Sequence, residues 1–319
     1  MSLVSIVIPT HNCAEYLGGA IRSALRQTHR HIEVIVVDDG STDDTAQVVR
    51  AFGDAVRYLY QPNAGPSAAR NLGLAHARGE YVAFLDADDE VRPEWVTMLR
   101  KSLRASAFKA RFAVCDAWLW DGVNCIDRYR VSEPPSGLRG MDRLLDDNRP
   151  YVAILAPRDL LQSVGGFRQG LWVNEDFDLW LRLLVGGYGY SFVAEPLYLY
   201  RVRQESLSDD CRRRLEAACG LYREALATMP LSLGQRRRMA YLLWRERARV
   251  SWFDAQAARS KGKRIRWAVH AAESASAQAV RLLLRPHFTL QRAWRRASER
   301  GSMCQCALSV LTSRPGGNA

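Results

Sequence analysis

The sequence predicts an α/β fold: an open, mostly parallel sheet flanked by helices, followed by a smaller all-helical C-terminal region. Three observations predict it. β-Branched apolar runs alternate with helix-period patterns through residues 4 to 90, and each run stops abruptly at polar residues. Beyond about residue 209 those runs end, and Arg, Ala and Leu dominate.

The elements follow in order. Val4–Ile8 reads as a strand that stops at Pro9-Thr10-His11-Asn12. Tyr16, Leu17, Ile21, Ala24 and Leu25 then fall on one helix face, with Asn12 and Glu15 spaced as a capping box. Ile32–Val37 is a second strand, ending at Asp38-Asp39-Gly40-Ser41-Thr42-Asp43. Ser41 and Thr42 are N-cap residue types for the helix carrying Ala46, Val48, Val49 and Phe52. Val56–Tyr60 leads through residues 61–67 to a helix over Ala68–Ala77, with Gly79 expected at its C′ position. A fourth strand, Val82–Leu85, ends in three carboxylates, Asp86, Asp88 and Asp89. In such sheets ligands sit beyond the carboxyl ends of the strands, and three polar strand ends converge there.

Carboxylates at the end of a core strand are costly unless water, a cation or a hydrogen-bonding ligand receives them. On an extended chain Asp86 and Asp88 point the same way. Hard oxygen ligands of this kind suit Mg2+ or Mn2+, held by one or two carboxylates plus substrate phosphates; a solvated turn is the plain alternative. No Gly-x-Gly-x-x-Gly and no Gly-x-x-x-x-Gly-Lys-Ser/Thr follows a strand, so bound phosphates would need a cation and arginines. Arg70 is one candidate, against the alternative of an exposed helix arginine.

Five segments in order resemble family 2 glycosyltransferases with a GT-A fold. They are Val4–Asn12, Val36-Val37-Asp38-Asp39-Gly40-Ser41, Gly65-Pro66-Ser67-Ala68-Ala69-Arg70-Asn71, Leu85-Asp86-Ala87-Asp88-Asp89, and Gly165-Gly166-Phe167 with Asn174–Leu183. The resemblance covers residues 4 to about 208. It implies inverting transfer of a sugar from a nucleotide-sugar, with UDP as the expected nucleotide, to a hydroxyl of a glycan or lipid-linked acceptor in bacterial cell-surface polysaccharide synthesis. Asp39 would accept from the base, and Pro9 and Thr10 would shape its pocket. His11 stands where the family often has a stacking tyrosine. Asp86 would contact the ribose or the metal shell, Asp88 would ligate the cation, and Asp89 would support that site or cap the helix beginning near Pro93. Asp176 matches the general base, with Glu175 as the fallback and a helix N-cap as the plain reading of Asp176. Asp178 is expected to face solvent. Phe167 and Trp180 could line the acceptor pocket or sit in the core. The shape of the region between about Phe112 and Trp172 would select the substrates.

One departure stands out. Where the family often has Tyr-Arg-x-His, the chain reads Tyr200-Arg201-Val202-Arg203. Arginine cannot ligate a cation, so Arg201 and Arg203 are expected to pair with the diphosphate instead. Residues 204–208 are expected to form a flap over the donor or a surface loop. Two other classes remain beside the transferase: a non-catalytic nucleotide-sugar-binding protein and a nucleotidyltransferase. The latter would need a Gly-rich basic loop after the first strand, which is missing.

Charge is unevenly placed. Residues 1–209 hold 23 Lys+Arg and 27 Asp+Glu, a net of −4; residues 210–319 hold 22 and 7, a net of +15. The boundary between catalytic domain (1–209) and basic helical domain (210–319) is therefore placed near 209–211, with a frayed end from about 301. Helices are expected over Gln235–Ala258 and Gly262–Leu284, broken at Pro230 and Pro286. In the first of them Met239, Leu242, Leu243, Val250 and Phe253 share a face that Glu246 interrupts. The basic, Trp-containing tail (Trp244, Trp252, Trp267, Trp294) suits an anionic membrane surface or a solvated helical cap. Nucleic acid has no stacking or zinc motif to support it. Seven cysteines without zinc-type spacing, no signal-peptide pattern and no membrane-spanning run lead to the expectation of free thiols in a cytoplasmic protein, free in the cytoplasm or peripheral on the inner face of the cell membrane.

Overall fold

A computed structural model of the chain describes residues 2–106, 111–129, 153–202 and 211–260. The chain divides into two compact units, a sheet-containing one through residue 202 that also takes in Met229–Leu231, and a helical one formed by the other described residues after 210.

The first unit is built on nine strands among the described residues: β1 (Val4–Thr10), β2 (Ile32–Asp39), β3 (Arg57–Gln61), β4 (Tyr81–Phe84), β5 (Glu90–Val91), β6 (Phe112–Trp120), β7 (Cys125–Arg128), β8 (Ile154–Pro157) and β9 (Tyr190–Arg201). Their order is β3-β2-β1-β4-β8-β6-β9-β5, with β7 paired to β6. The β3-β2-β1-β4 half is parallel throughout. Beyond β4 the sheet is mixed: β8 runs antiparallel to β4 and β6, while β6 and β9 are parallel. The chain leaves β1 toward β3 on one side and returns to β4 on the other. This reversal opens a crevice between the carboxyl ends of β1 and β4.

Every residue of β1 is buried, as expected for a central strand covered on both faces. Val4, Ile6 and Ile8 join the cluster formed with Leu17 and Ile21 of α1 (Ala14–Leu25) and Trp95 and Leu99 of α4 (Trp95–Ala105). Val7 meets α3 (Pro66–His76) on the other face. A Cβ at Gly73 would come within 2.3 Å of Val7 Cγ1, so only glycine lets α3 lie this close to the sheet. The remaining helices of this unit are α2 (Thr45–Arg50), α5 (Arg158–Ser163) and α6 (Glu175–Val185).

Several local expectations are corrected. Asn12 does not cap α1: it adopts φ 49°, and its Oδ1 accepts from the Thr42 amide at 2.8 Å. The open Ala14 amide of that helix is met by Asp43 Oδ2 at 3.0 Å, from the neighbouring strand end. Ser41 and Thr42 likewise do not cap α2, whose N-cap is Asp44. Gly79 is not a C′ residue; α3 ends at Ala77 in extended backbone, and the Gly79 amide donates to Ser5 Oγ at 2.9 Å. Asp89 does not cap the next helix, whose N-cap is Glu94.

The second unit contains α7 (Cys211–Thr228) and α8 (Leu233–Ser260), with Pro230 in the break between them. Met239 and Leu242 are buried, and so is Glu246, which Arg245 and Arg249 neutralise. Glu246 thus belongs to the buried face that it seemed to interrupt. The expected helix over 262–284 and the frayed end lie outside the described residues. Cys13, Cys115, Cys125 and Cys219 are not in disulfides. No described helix is long and apolar enough to cross a membrane.

Candidate active site

The polar strand ends meet at the carboxyl edge of the parallel half. Thr10 closes β1 with a buried Oγ1 that finds no hydrogen-bond partner among the described residues. Beside it Asp38 and Asp39 close β2, both buried. Asp38 accepts from the Ser41 amide and the Tyr58 hydroxyl, at 2.8 and 2.6 Å. Asp39 accepts from Gln61 Nε2 and the Ala64 amide on one oxygen, and from the Gly65 amide on the other, at 2.6 to 2.9 Å. Three of its roughly four lone-pair sites are filled, leaving room for one further donor. His11 is exposed; its Nδ1 lies 2.9 Å from the Asp39 carbonyl, and its Nε2 lies 3.1 Å from Asn63 Nδ2. A proton on Nδ1 satisfies both contacts and leaves Nε2 as the acceptor.

The acidic segment after β4 is a turn, not an extended strand: the Asp89 amide donates to the Asp86 carbonyl at 3.1 Å. The expectation that Asp86 and Asp88 align through extended-strand alternation is therefore corrected; any common direction comes from the turn. Asp89 is buried beneath it, accepting from the Arg201 amide at 2.7 Å. Burial, and then the charges of Asp88 and Asp86, push its carboxyl well above the ordinary range. The Tyr198 hydroxyl accepts from the Asp86 amide at 3.3 Å and anchors the same turn.

Arg201 fastens the turn from β9. Its Nε donates to the Asp88 carbonyl at 2.8 Å, and its guanidinium stacks over Trp120 and Tyr16 at 4.0 and 4.9 Å. Sequence reasoning missed those two aromatics, because cross-element stacking leaves no mark in local spacing. Arg203 and residues 204–208 lie outside the described residues, as do residues 130–152 of the region expected to select substrates.

Arg70, on α3, is buried rather than exposed. It donates to Asp86 at 2.8 Å and to Glu175 at 2.7 Å, while its Nε has no hydrogen-bond partner among the described residues. Phe167 lies under the guanidinium at 5.3 Å. Neighbouring α3 residues hold the same distant segment. Asn71 exchanges two hydrogen bonds with the Phe167 backbone, at 2.6 and 2.8 Å, and Ser67 donates to the Leu171 carbonyl at 3.0 Å. Gly166 adopts φ 62°, and a Cβ there would strike Asn71 Oδ1 at 2.4 Å, so the clamp requires glycine.

That segment runs into α6, whose N-cap is Asn174 in the left-handed region. Asp176 sits in the first turn and accepts from the Phe177 amide at 2.6 Å. Burial, then the charge of Glu175, push its carboxyl up to about 7. Asp178 does not face solvent: it is fully buried between Arg168 and Arg182, each at 2.8 Å. Arg182 also donates to the Gly166 carbonyl at 2.7 Å, so Asp178 fixes the loop that leads to α6. Phe167 and Trp180 are core residues, packed edge-on against Phe84 and Phe112. Trp172 is the large exposed aromatic of this region, close to Gly65.

Asp86 and Asp88 fit a hard divalent cation that takes the rest of its shell from water and phosphate. Both lie close enough to Asp89 for their charges to raise its carboxyl, after burial. Among the described residues no group of three or more His, Cys, Asp or Glu could hold a metal, so a closed zinc-type site does not fit.

The model for glycosyl transferase family 2 matches residues 5–152. An uncharacterised glycosyltransferase of Rickettsia prowazekii is 34% identical over 221 residues, covering 67% of this chain and 68% of the relative. A putative teichuronic acid biosynthesis glycosyltransferase of Bacillus subtilis, TuaG, is 27% identical over 226 residues, covering 70% and 88%. Among solved structures, Staphylococcus aureus TarS 1–349 in complex with UDP-GlcNAc superposes with a TM-score of 0.65, at 18% identity, over 86% of this chain and 81% of that one. At that identity the likeness is one of fold.

Proposed function

The chain belongs to glycosyl transferase family 2, and from that premise we propose an inverting transfer from a nucleotide-sugar to a hydroxyl, with Asp176 as the general base. The acceptor we infer is a glycan or lipid-linked sugar of a cell-surface polysaccharide, by analogy with the teichuronic acid relative.

The observation that carries the proposal is the raised carboxyl of Asp176, joined through Glu175 and Arg70 to Asp86 at the end of β4. A base poised near neutral pH accepts a hydroxyl proton without being permanently protonated or too weakly basic. In the step itself the acceptor oxygen bonds the anomeric carbon as its proton passes to Asp176. The bond from that carbon to the diphosphate oxygen breaks, and the nucleoside diphosphate leaves with the electron pair.

The donor side divides into two parts. Asp39 keeps one acceptor site for a base N–H, and a single imide N–H is what uracil presents, which supports a UDP-sugar. Thr10 Oγ1 and Arg70 Nε, both buried and without a hydrogen-bond partner among the described residues, suit a polar ligand at the crevice. Asp88 and Asp86 would hold Mg2+ or Mn2+; when bound, the cation neutralises charge on the departing diphosphate. Arg201 holds the Asp88 turn and brings positive charge beside it. Arg203 would add to that charge.

The test is a panel of nucleotide-sugars with the purified chain, scored by released nucleoside diphosphate, followed by NMR of the glycoside formed. A UDP-sugar should turn over, and the anomeric configuration should be opposite to that of the donor. Retained configuration would contradict the single-displacement mechanism.

A further inference from the structure

The helical unit lies outside the segment matched by the family model and presents a face that the transfer reaction does not use. Met239, Leu242 and Glu246 turn inward on α8. Opposite them, at alternating three- and four-residue spacing, lie Leu233, Arg237, Ala240, Trp244 and Arg247. Leu233 is 67% exposed and Trp244 42% exposed, both unusual for such large apolar side chains. Arg237 and Arg247 are exposed as well, and the Arg247 guanidinium lies over the Trp244 ring at 5.8 Å. No carboxylate interrupts this face: Glu246, on the buried side, is neutralised by Arg245 and Arg249, and Asp254 is paired with Arg212. From Leu233 to Arg247 the face is ~21 Å long, at 1.5 Å rise per residue.

We propose that this face of α8 docks the protein on an anionic lipid bilayer. Two features decide in favour of lipid over another polyanion. A phosphate backbone needs only the arginines, whereas Leu233 and Trp244 project apolar bulk that gains by entering the headgroup–acyl boundary. Arginines flanking an interfacial tryptophan keep their guanidinium groups among the lipid phosphates while their stems lie along the apolar surface. Charge complementarity extends through the region, since residues 210–319 carry a net +15. The helix lies on the membrane and does not cross it.

The test is co-sedimentation of the full chain with vesicles of phosphatidylcholine alone or with about 30% phosphatidylglycerol, across a salt series. Binding is expected on the anionic vesicles and should fall steeply with salt. Each basic side chain near the surface is worth roughly fivefold in partition, so R237Q/R247Q should lower it by roughly thirtyfold. L233S/W244A should weaken binding at least tenfold, as estimated from apolar burial. Circular dichroism establishes that both variants remain helical; should either unfold, the wild-type lipid and salt dependence decides alone. Equal binding to the two vesicle types, no binding to either, or undiminished binding by both folded variants would overturn the proposal. So would displacement from anionic vesicles by a stoichiometric duplex oligonucleotide, which would identify nucleic acid as the preferred polyanion.

Discussion

Asp86 at the end of β4 and Glu175 at the start of α6 share a single guanidinium, that of Arg70, at 2.8 and 2.7 Å. One buried arginine therefore joins the turn assigned to the donor with the helix assigned to the acceptor. Removing it leaves two partly buried carboxylates facing each other. Breaking a buried pair of this kind costs about 3–5 kcal/mol. Arg70→Gln is expected to lower the thermal midpoint and to reduce transfer by at least tenfold even below that midpoint. Calorimetry with initial rates checks both.

Asp176 and Asp178 stand two residues apart and are expected to respond in opposite ways. Asp178 is held between Arg168 and Arg182 with no exposure, so Asp178→Asn breaks a buried ion-pair network. It should destabilise by about 3 kcal/mol or more, leaving the rate per folded molecule nearly unchanged. Denaturant unfolding alongside active-site titration separates the two effects.

The raised Asp176 carboxyl sets a pH dependence with a definite sign. Its ordinary value is 3.8, and the folded protein moves it up to about 7. Between those values the folded state binds the proton that the unfolded state has lost, so this contribution to stability diminishes as pH rises. Over the upper part of the same window the base becomes competent. The rate of the chemical step should therefore climb through about pH 7 while the Asp176 contribution to stability declines. Asp176→Asn should flatten that stability profile, as read from thermal midpoints between about pH 5 and 8.

Chelation is expected to stop transfer, and Mg2+ or Mn2+ to restore it. Asp88→Asn should raise the metal concentration needed for half activity by more than tenfold, in the range seen for altered metal-site shells. Calorimetric titration with Mn2+ gives the affinity directly. Full activity in excess chelator would move charge neutralisation to the arginines.

The parallel half of the sheet was legible because each strand there is a continuous apolar run ended by polar residues. Val4–Thr10 and Ile32–Asp39 extend only slightly beyond what hydrophobicity marks. The mixed half was not, since the antiparallel insertion of β8 between β4 and β6 depends on partners far apart in sequence. Helix caps failed for the same reason: Asp43 reaches the first turn of α1 from another strand end, while Asn12 turns toward Thr42. The placement of Asp39 and Asp86 at the carboxyl edge of the parallel half could be anticipated from the strand pattern. The burial of Asp178 could not, because its partners Arg168 and Arg182 carry no spacing signature that separates them from surface arginines. The turn at Asp86–Asp89 was likewise hidden by an apolar run that looked like a simple extended strand.

The most direct test of the account is Asp176→Asn under saturating donor and acceptor, with donor affinity measured separately. Asparagine keeps the size and the acceptor oxygen for the Phe177 amide but removes the basic carboxylate. With Asp176 as the base, kcat should fall ~10²–10⁴-fold with donor Kd changed by less than about twofold. A variant that keeps most of its rate, with Glu175→Gln losing it instead, would contradict the assignment and place the base one residue earlier.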